Sequence, residues 1–433
     1  MRKLVWKLKT TLRRLAPPPV VNSYHFSIAM LGTFLYGFPS NGLLVIAVTG
    51  TKGKSSTTEM INAIFEGAGY KTAMMNSIRF KTGGDSRPNE LRMSMPGRFF
   101  IQRFLDRARR SGCTVAILEM TSEGARQFRH RGITLDALVF TNLAPEHIES
   151  HGSLQAYADA KYEIGLHLLR SSKRPRVMVA NADDAESTRY LTLPVEQALP
   201  FSLSGNTPYE ATETGGHFHF DDTDIAIHLP GEFSLKNAIA AATLARAFNI
   251  PTPTIKRALE KLARIPGRAE RIEEGQNFAV VVDYAHTPDS LTALYDAYAH
   301  SPSTTLGAGR KLICVLGSTG GGRDLWKRPV MGGIADTRCD VVILTNEDPY
   351  DEDPRSIVDG LARGMKRQPV IIMDRREAIA NALALAHAGD AVLITGKGTD
   401  PCICGPRGGK EPWSDARVAR EELAKRSIVM PAV

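Results

Sequence analysis

A chain of 433 residues, 43% hydrophobic and 23% charged, is long enough for two or three domains, each with its own core. That composition excludes a fibrous or intrinsically disordered protein. The formal net charge of +8 suits an anionic partner such as a nucleotide or a membrane surface. No RNA- or DNA-reading motif accompanies it, which argues against nucleic acid as a partner.

The first element in chain order is unusual. Met1 to Leu15 mixes Arg2, Lys3, Lys7, Lys9, Arg13 and Arg14 with Leu4, Val5, Trp6, Leu8, Leu12 and Leu15, the composition of a basic amphipathic segment able to lie on an anionic membrane. Pro17, Pro18 and Pro19 break it. The apolar run Tyr24 to Phe38 that follows is shorter than the ~20 residues a spanning helix needs. A helix packed on the core is expected there, with peripheral membrane contact through the basic arm as the alternative. No small-x-small cleavage site follows, so a signal peptide is not expected. Residues 1–42 are read as this N-terminal segment.

From Leu43 to Thr49 an apolar, β-branched run predicts a buried strand, and Lys54 to Gly67 predicts a helix. The strand–turn–helix rhythm recurs with strands at Val115 to Glu119 and Ala137 to Thr141 and a helix at Leu154 to Leu169. Phe201 to Leu229 alternates with Gly, Asn and Asp turns, which predicts a small antiparallel insertion. Helices follow at Glu232 to Phe248 and Thr254 to Leu262. Ile265-Pro-Gly267 is the expected hinge, giving a central domain of 43–265 and a C-terminal domain of 266–433. Beyond the hinge, strands at Ala279 to Asp283, Leu312 to Gly317, Val341 to Thr345, Val370 to Met373 and Ala391 to Thr395 predict a second, smaller doubly wound sheet. The fold class is therefore α/β: a central P-loop-type doubly wound parallel sheet with an antiparallel insertion, then a Rossmann-like domain.

Five scattered cysteines (Cys113, Cys314, Cys339, Cys402, Cys404) predict neither a disulfide framework nor a paired zinc site. Cys402 and Cys404 are open to reading as a metal pair, an oxidation-sensitive pair or a chance placement. A reducing cytoplasm fits best.

The strongest motif is Val48-Thr-Gly-Thr-Lys-Gly-Lys-Ser-Ser56. Gly50 and Gly53 let backbone N–H groups turn toward phosphate, and the helix behind them offers its positive end. Lys54 would neutralise the β- and γ-phosphates, and the Ser55 hydroxyl would sit on Mg²⁺. Val48 stands where the standard phosphate loop has its first glycine. Glu119 ends an apolar strand, and Asn142, Glu146, His147 and His151 follow the next one, so all reach the sheet edge where open α/β folds bind ligands. On residue type alone Mg²⁺ prefers Glu119, each histidine reads as structural, and Lys161 reads as a solvated lysine on its helix.

Thr49-Gly-Thr-Lys-Gly-Lys-Ser-Ser56, Thr141-Asn-Leu with His147, and His151-Gly-Ser-Leu-Gln-Ala-Tyr-Ala-Asp-Ala-Lys161 together resemble the Mur ligases and their folylpolyglutamate and cyanophycin relatives. The resemblance runs from Val45 to about Leu423 and is greatest to the members that add the third residue of the peptidoglycan stem peptide. It implies that ATP phosphorylates a substrate carboxylate and that an amine attacks the acyl phosphate, giving an amide, ADP and phosphate. It implies two Mg²⁺ ions, with Glu119 and His147 on the second, and Lys161 carbamylated by CO₂ as a further metal-organising group. Thr51, Lys52 and Ser56 join the nucleotide loop, Asn237 meets the adenine, and Arg268 of Pro266-Gly-Arg-Ala-Glu-Arg271 reaches the nucleotide on domain closure. Asp283 and His286 sit at a strand end in Val281-Val-Asp-Tyr-Ala-His-Thr-Pro288, where Asp283 binds ribose or orients that clamp and His286 is a candidate contributor to removing the amine's proton.

By the same resemblance the substrates are UDP-N-acetylmuramoyl-dipeptide, at Asn142 and His151, and an amino acid whose carboxylate meets Arg323, in an enzyme expected to be monomeric. Glu347-Asp-Pro-Tyr350 stands where the family has Asp-Asn-Pro-Arg, and Gly396-Lys-Gly-Thr-Asp400 where it has Gly-Lys-Gly-His-Glu. Tyr350 thus replaces an arginine, and Asp348 beside Asp400 favours a cationic side chain such as that of lysine or ornithine. Only about forty residues precede the phosphate loop, where third-step ligases carry a domain for the UDP-sugar, and Met93-Ser-Met-Pro-Gly97 only loosely resembles their sugar-substrate motif. A relative acting on a lipid-linked muropeptide, a folate or a poly-amino acid, and a non-catalytic nucleotide-binding scaffold, stay as alternatives.

Overall fold

The computed structural model describes residues 17–146, 148–299 and 310–429. The basic arm and His147 lie outside them. Two sheets organise the chain. The first has eight strands in the order β4-β3-β2-β5-β1-β6-β7-β8. They are β1 (Leu44–Thr49), β2 (Thr72–Met75), β3 (Arg79–Thr82), β4 (Asp85–Pro88), β5 (Val115–Glu119), β6 (Ala137–Phe140), β7 (Val177–Asn181) and β8 (Gln197–Phe201). From β2 to β8 the neighbours are parallel; β3 and β4 close one edge as an antiparallel hairpin.

Near-continuous apolar runs mark strands buried on both faces. Side chains alternate between those faces. Ile46, Val48, Val115 and Ile117 meet the helices Lys54–Gly67 and Glu232–Ala247 on one side. Val45, Ala47, Ala116 and Leu118 meet the helices Arg98–Arg110 and Leu154–Leu169 on the other. The expected insertion is a three-stranded antiparallel sheet of β9 (Tyr209–Ala211), β10 (Gly216–Phe220) and β11 (Thr223–Ile227).

The second lobe has six strands in the order β12-β13-β17-β14-β15-β16. They are β12 (Glu270–Arg271), β13 (Ala279–Asp283), β14 (Leu312–Leu316), β15 (Val341–Leu344), β16 (Val370–Ile371) and β17 (Ala391–Thr395). All pair in parallel except β12. A small hairpin, β18 (Cys402–Cys404) with β19 (Lys410–Pro412), follows. Against the expectation from cysteine spacing, Cys314 and Cys339 form a disulfide. Cys314 lies on β14 and Cys339 caps the helix Lys327–Arg338, so the pairing arises from the helix returning to the sheet.

The apolar run after the prolines forms the helix Pro18–Leu35, which packs on the helix Arg98–Arg110. Ala29 and Thr33 are its buried side, whereas Val20, Tyr24, Leu31, Phe34 and Leu35 are exposed. Among the described residues no helix is long and apolar enough to cross a membrane.

Candidate functional site

Because β1 lies between β5 and β6, the loops leaving all three strands share one edge. Register places Val48 beside Glu119 and Thr49 beside Phe140. The phosphate loop leaves β1 with Gly50 at φ +143° and Gly53 at φ +80°. A β-carbon on Gly50 would lie 2.0 Å from Thr141 Oγ1, and one on Gly53 2.2 Å from Asn237 Oδ1. Neither position admits a side chain.

Ser55 and Glu119 meet at the first turn of the helix Lys54–Gly67. The Ser55 hydroxyl donates to Glu119 Oε2 at 2.7 Å. The same carboxylate accepts from the Ser77 backbone N–H at 3.1 Å and the Ser94 hydroxyl at 2.6 Å. Ser77 and Ser94 carried no signal of their own in the sequence, although Ser94 lies in the segment that loosely resembles the sugar-substrate motif. Lys54 Nζ donates to the Thr51 carbonyl at 2.8 Å. Burial lowers its pKa, with Glu119 and Glu146 opposing the shift. Ser56 is half-buried in the same turn.

Lys161 is 2% exposed, and its Nζ donates to the Gly50 carbonyl at 2.6 Å. Burial, followed by repulsion from Lys54, holds its pKa well below the ordinary lysine value. The solvated-lysine reading is thereby excluded. The Tyr157 ring lies 4.5 Å from Nζ, and the Tyr157 hydroxyl is 3.2 Å from Thr51 Oγ1. His151, on the short helix Ile148–His151, lies edge-on to the same ring at 5.3 Å.

Two residues expected to meet ligands also contact the phosphate loop. Asn142 Oδ1 accepts from the Lys52 N–H at 2.8 Å and Asn142 Nδ2 donates to the Lys52 carbonyl at 3.2 Å. Its amide therefore also shapes the loop. Asn237 Oδ1 accepts from Thr57 at 3.3 Å and faces Gly53, so this residue too stands against the loop.

The second lobe reaches the same edge. Arg268 Nη2 is 3.0 Å from Ser77 Oγ and 3.5 Å from Ser55 Oγ, with its guanidinium 4.6 Å over the Tyr284 ring. Asp283 accepts from the N–H groups of Ala269 and Ala285, both at 2.6 Å. It fixes the turn that presents Arg268, so of the two expected roles the geometry matches clamp orientation. His286 Nε2 lies 3.1 Å from Glu146 Oε1, which also pairs with Lys52 Nζ at 3.0 Å. Burial pulls the His286 pKa down to about 4.

The remaining predicted residues form a separate cluster in the second lobe. Arg323 lies 5.2 Å over the Tyr350 ring. Gly396, at φ +105°, has the Glu347 side chain where its β-carbon would be. Asp348 and Asp400 are both bonded to Arg92, at 2.5 and 2.6 Å, a residue the sequence reading missed because its partners are 256 and 308 positions away.

Among the described residues no three His, Cys, Asp or Glu side chains converge on one point. The Ser55 and Glu119 oxygens are the hard donors Mg²⁺ takes, and Mg²⁺ typically completes its shell with phosphate and water. The donor set fits the ion on those terms.

Residues 48–245 match the family model of the Mur ligase middle domain and residues 267–398 that of the Mur ligase glutamate ligase domain. The UDP-N-acetylmuramoyl-L-alanyl-D-glutamate–2,6-diaminopimelate ligase of Halalkalibacterium halodurans is 34% identical over 392 residues, covering 88% of this chain and 79% of that protein. The chain belongs to the Mur ligase family. Like other Mur ligases it is an ATP-dependent ligase. The UDP-N-acetylmuramyl-tripeptide synthetase of a Roseiflexus species is also 34% identical, covering 92% and 82% of the two chains. A solved structure of a 2,6-diaminopimelate ligase superposes with a TM-score of 0.59 at 28% identity, over 89% of this chain and 79% of that one. The Mycobacterium tuberculosis folylpolyglutamate synthase, at 18% identity and a TM-score of 0.67 over 87% and 93%, shares the fold.

Proposed function

We propose that this Mur ligase joins a diamino acid to UDP-N-acetylmuramoyl-L-alanyl-D-glutamate in the cytoplasm, as a step of peptidoglycan precursor synthesis. ATP transfers its γ-phosphoryl group to the substrate carboxylate, the amino group attacks the acyl phosphate, and an amide, ADP and phosphate leave. The observation that carries this reading is Arg268 of the second lobe reaching Ser55 and Ser77 beside Glu119. A clamp at that point lets residues 43–265 and 266–433 act as domains closing over ATP and excluding water from a hydrolysable acyl phosphate.

Gly50, Thr51, Lys52, Gly53, Lys54, Ser55 and Ser56 take the triphosphate, with Lys54 as the cation on its terminal phosphates. Asn237 meets the adenine, and Asp283 directs Arg268 toward the nucleotide from the second lobe. Ser55 and Glu119 hold one Mg²⁺. Lys161, as a carbamate, helps organise a second with Glu119 and His147; these ions would neutralise charge on the transferring phosphoryl group. Arg323 receives the amino acid's carboxylate, a planar task suited to a guanidinium. His286, whose ring nitrogens face the Glu146 carboxylate and the Tyr284 carbonyl, contributes to removing the proton of the attacking amine.

The test is amino-acid-dependent phosphate release from ATP with UDP-N-acetylmuramoyl-L-alanyl-D-glutamate, bicarbonate and Mg²⁺. Silence with every amino acid would remove this acceptor from consideration. A lipid-linked muropeptide is the second reading, favoured by the exposed apolar side of the helix Pro18–Leu35 and the basic arm, which together suit peripheral membrane contact. Failure to co-sediment with anionic vesicles would remove its basis.

A further inference from the structure

A buried charge cluster lies between the lobes. The second lobe contributes two carboxylates there, Asp348 (buried) and Asp400 (half-buried). It also contributes Lys397, which is fully buried. Lys397 Nζ donates to Asp348 Oδ1 at 2.8 Å and to the Cys402 carbonyl at 2.7 Å, and lies 3.5 Å from Asp400 Oδ2. Among the groups in direct contact, the second lobe thus sets two carboxylates against one ammonium, leaving one excess negative charge; burial pushes the pKa of the neighbouring Glu347 carboxyl up, toward its neutral form.

Arg92 of the first lobe supplies the missing cation. Its Nη2 lies 2.5 Å from Asp348 Oδ2 and 2.6 Å from Asp400 Oδ2, and its Nη1 contacts Cys404 Sγ. Paired between Lys397 and Arg92, Asp348 keeps its charge: its pKa is lowered even though burial pushes the other way. Arg92 sits in the segment between β4 and the helix Arg98–Arg110, at φ +54°, a left-handed conformation that a β-carbon disfavours. Its flanking residues Leu91 and Met93 are 46% and 42% exposed. The guanidinium is therefore held by its cross-lobe ion pairs and not by a packed core around its backbone.

We propose that Arg92 is an internal stand-in for the side-chain cation of the amino-acid substrate, occupying between Asp348 and Asp400 the seat that a lysine or ornithine ammonium takes when Arg92 swings out. The proposal rests on the reading above that the second lobe receives the amino acid. The charge balance supports it: once Arg92 leaves, a neutral side chain strands a buried carboxylate, whereas one ammonium restores neutrality. It also revises the argument made from sequence. Asp348 and Asp400 are not an open acidic pocket, because the protein's own cation fills it, and selectivity arises from exchange of one cation for another.

The experiment compares wild type with Arg92→Ala, Arg92→Gln and Arg92→Lys, using KM for lysine, ornithine, norleucine and meso-diaminopimelate, with calorimetric binding of the same amino acids. Removing the internal competitor should lower KM and Kd for lysine and ornithine about tenfold and leave norleucine unmoved, an effect of the size seen for single close charge pairs. Arg92→Lys should keep the wild-type preference. Adding Asp400→Asn to Arg92→Ala should abolish the gain, since the charge balance is restored without a cation. Arg92→Gln, which keeps most of the side chain, carries the test if Arg92→Ala does not fold. An equal rise in KM for all four amino acids would make Arg92 a lobe clamp only and overturn the proposal. A selective loss of diaminopimelate would also overturn it, by making Arg92 the partner of a distal carboxylate. If wild type turns over no amino acid, the proposed acceptor fails, while calorimetry of lysine against norleucine still decides the seat.

Discussion

The Lys161 ammonium nitrogen lies 2.6 Å from the Gly50 carbonyl oxygen, so the helix Leu154–Leu169 delivers an amine to the underside of the phosphate loop. A lysine fully removed from water favours its neutral form, and Lys54 next to it pushes in the same direction. Only the neutral amine adds to CO₂. We expect enzyme stripped of CO₂ to lose activity and bicarbonate to restore it, with a carbamate carbon resonance in ¹³C-bicarbonate that Lys161→Ala lacks. Lys161→Ala should lower kcat by about 10²-fold, the scale of one lost electrostatic stabiliser. Full activity without CO₂ would contradict the carbamate.

Arg268 gives a separate handle on closure. It is stacked on Tyr284 and directed by Asp283 to Ser77 and Ser55, yet it contributes to no hydrophobic core. Arg268→Ala should raise KM for ATP and lower kcat together by about 10-fold or more, as for residues that complete a closed site, with a melting temperature close to wild type. A large fall in melting temperature with unchanged kinetics would show that the contact is merely structural.

One buried histidine, His130, and two half-buried ones, His167 and His286, set the acid limit. Burial lowers His286 and His167 to about 4 and His130 well below the usual value. His130 and His167 lie edge to face at 4.8 Å. Above the unfolded value of about 6.5 neither state binds the proton, so stability is flat there. As pH falls from about 6.5 to about 4 the unfolded chain takes up protons that the folded chain refuses, and stability drops. For His167, lowered to about 4, the loss is on the order of 2–3 kcal/mol, and it is less for His286, whose side chain is 21% exposed. Urea unfolding at pH 8, 6 and 5 should show a fall between the last two that His167→Gln reduces. Equal midpoints at all three would contradict it.

Local chemistry made much of this legible in the sequence. The strand into β1, the helix Lys54–Gly67 and the strand ending at Glu119 each carry their own signature of apolar run, glycine and helix former, and the structure reproduces them. The Ile265-Pro-Gly267 turn was legible for the same reason. The hairpin β3–β4 was not, because its outer strand Asp85–Pro88 is mostly exposed and carries no apolar alternation. Cross-lobe partners were also hidden. Arg92 with Asp348 and Glu146 with His286 join segments whose meeting depends on both sheets being formed. A reading of neighbouring residues has no access to such pairs.

The strongest stability test lies away from the site, in the second lobe. Arg375 and Asp415 are 1% and 0% exposed, with Nη2 2.7 Å from Oδ2 and Nε 2.8 Å from Oδ1. Arg375 also donates to the Thr395 carbonyl at 2.7 Å, and Trp413 Nε1 donates to Asp415 at 2.8 Å. The pair thus ties the end of β17 to the helix Asp415–Val429 with its hydrogen-bonding capacity well used. Removing one partner leaves a buried charge with nothing to oppose it. Arg375→Ala is therefore expected to cost about 3–5 kcal/mol. Arg375→Met combined with Asp415→Leu removes both charges and should cost much less than the two single changes summed, a coupling expected for residues in direct contact. Denaturant midpoints for the four proteins of that cycle decide it. Additive losses would mean that the two side chains stabilise the lobe independently, through packing and their bonds to Thr395 and Trp413, rather than as a pair.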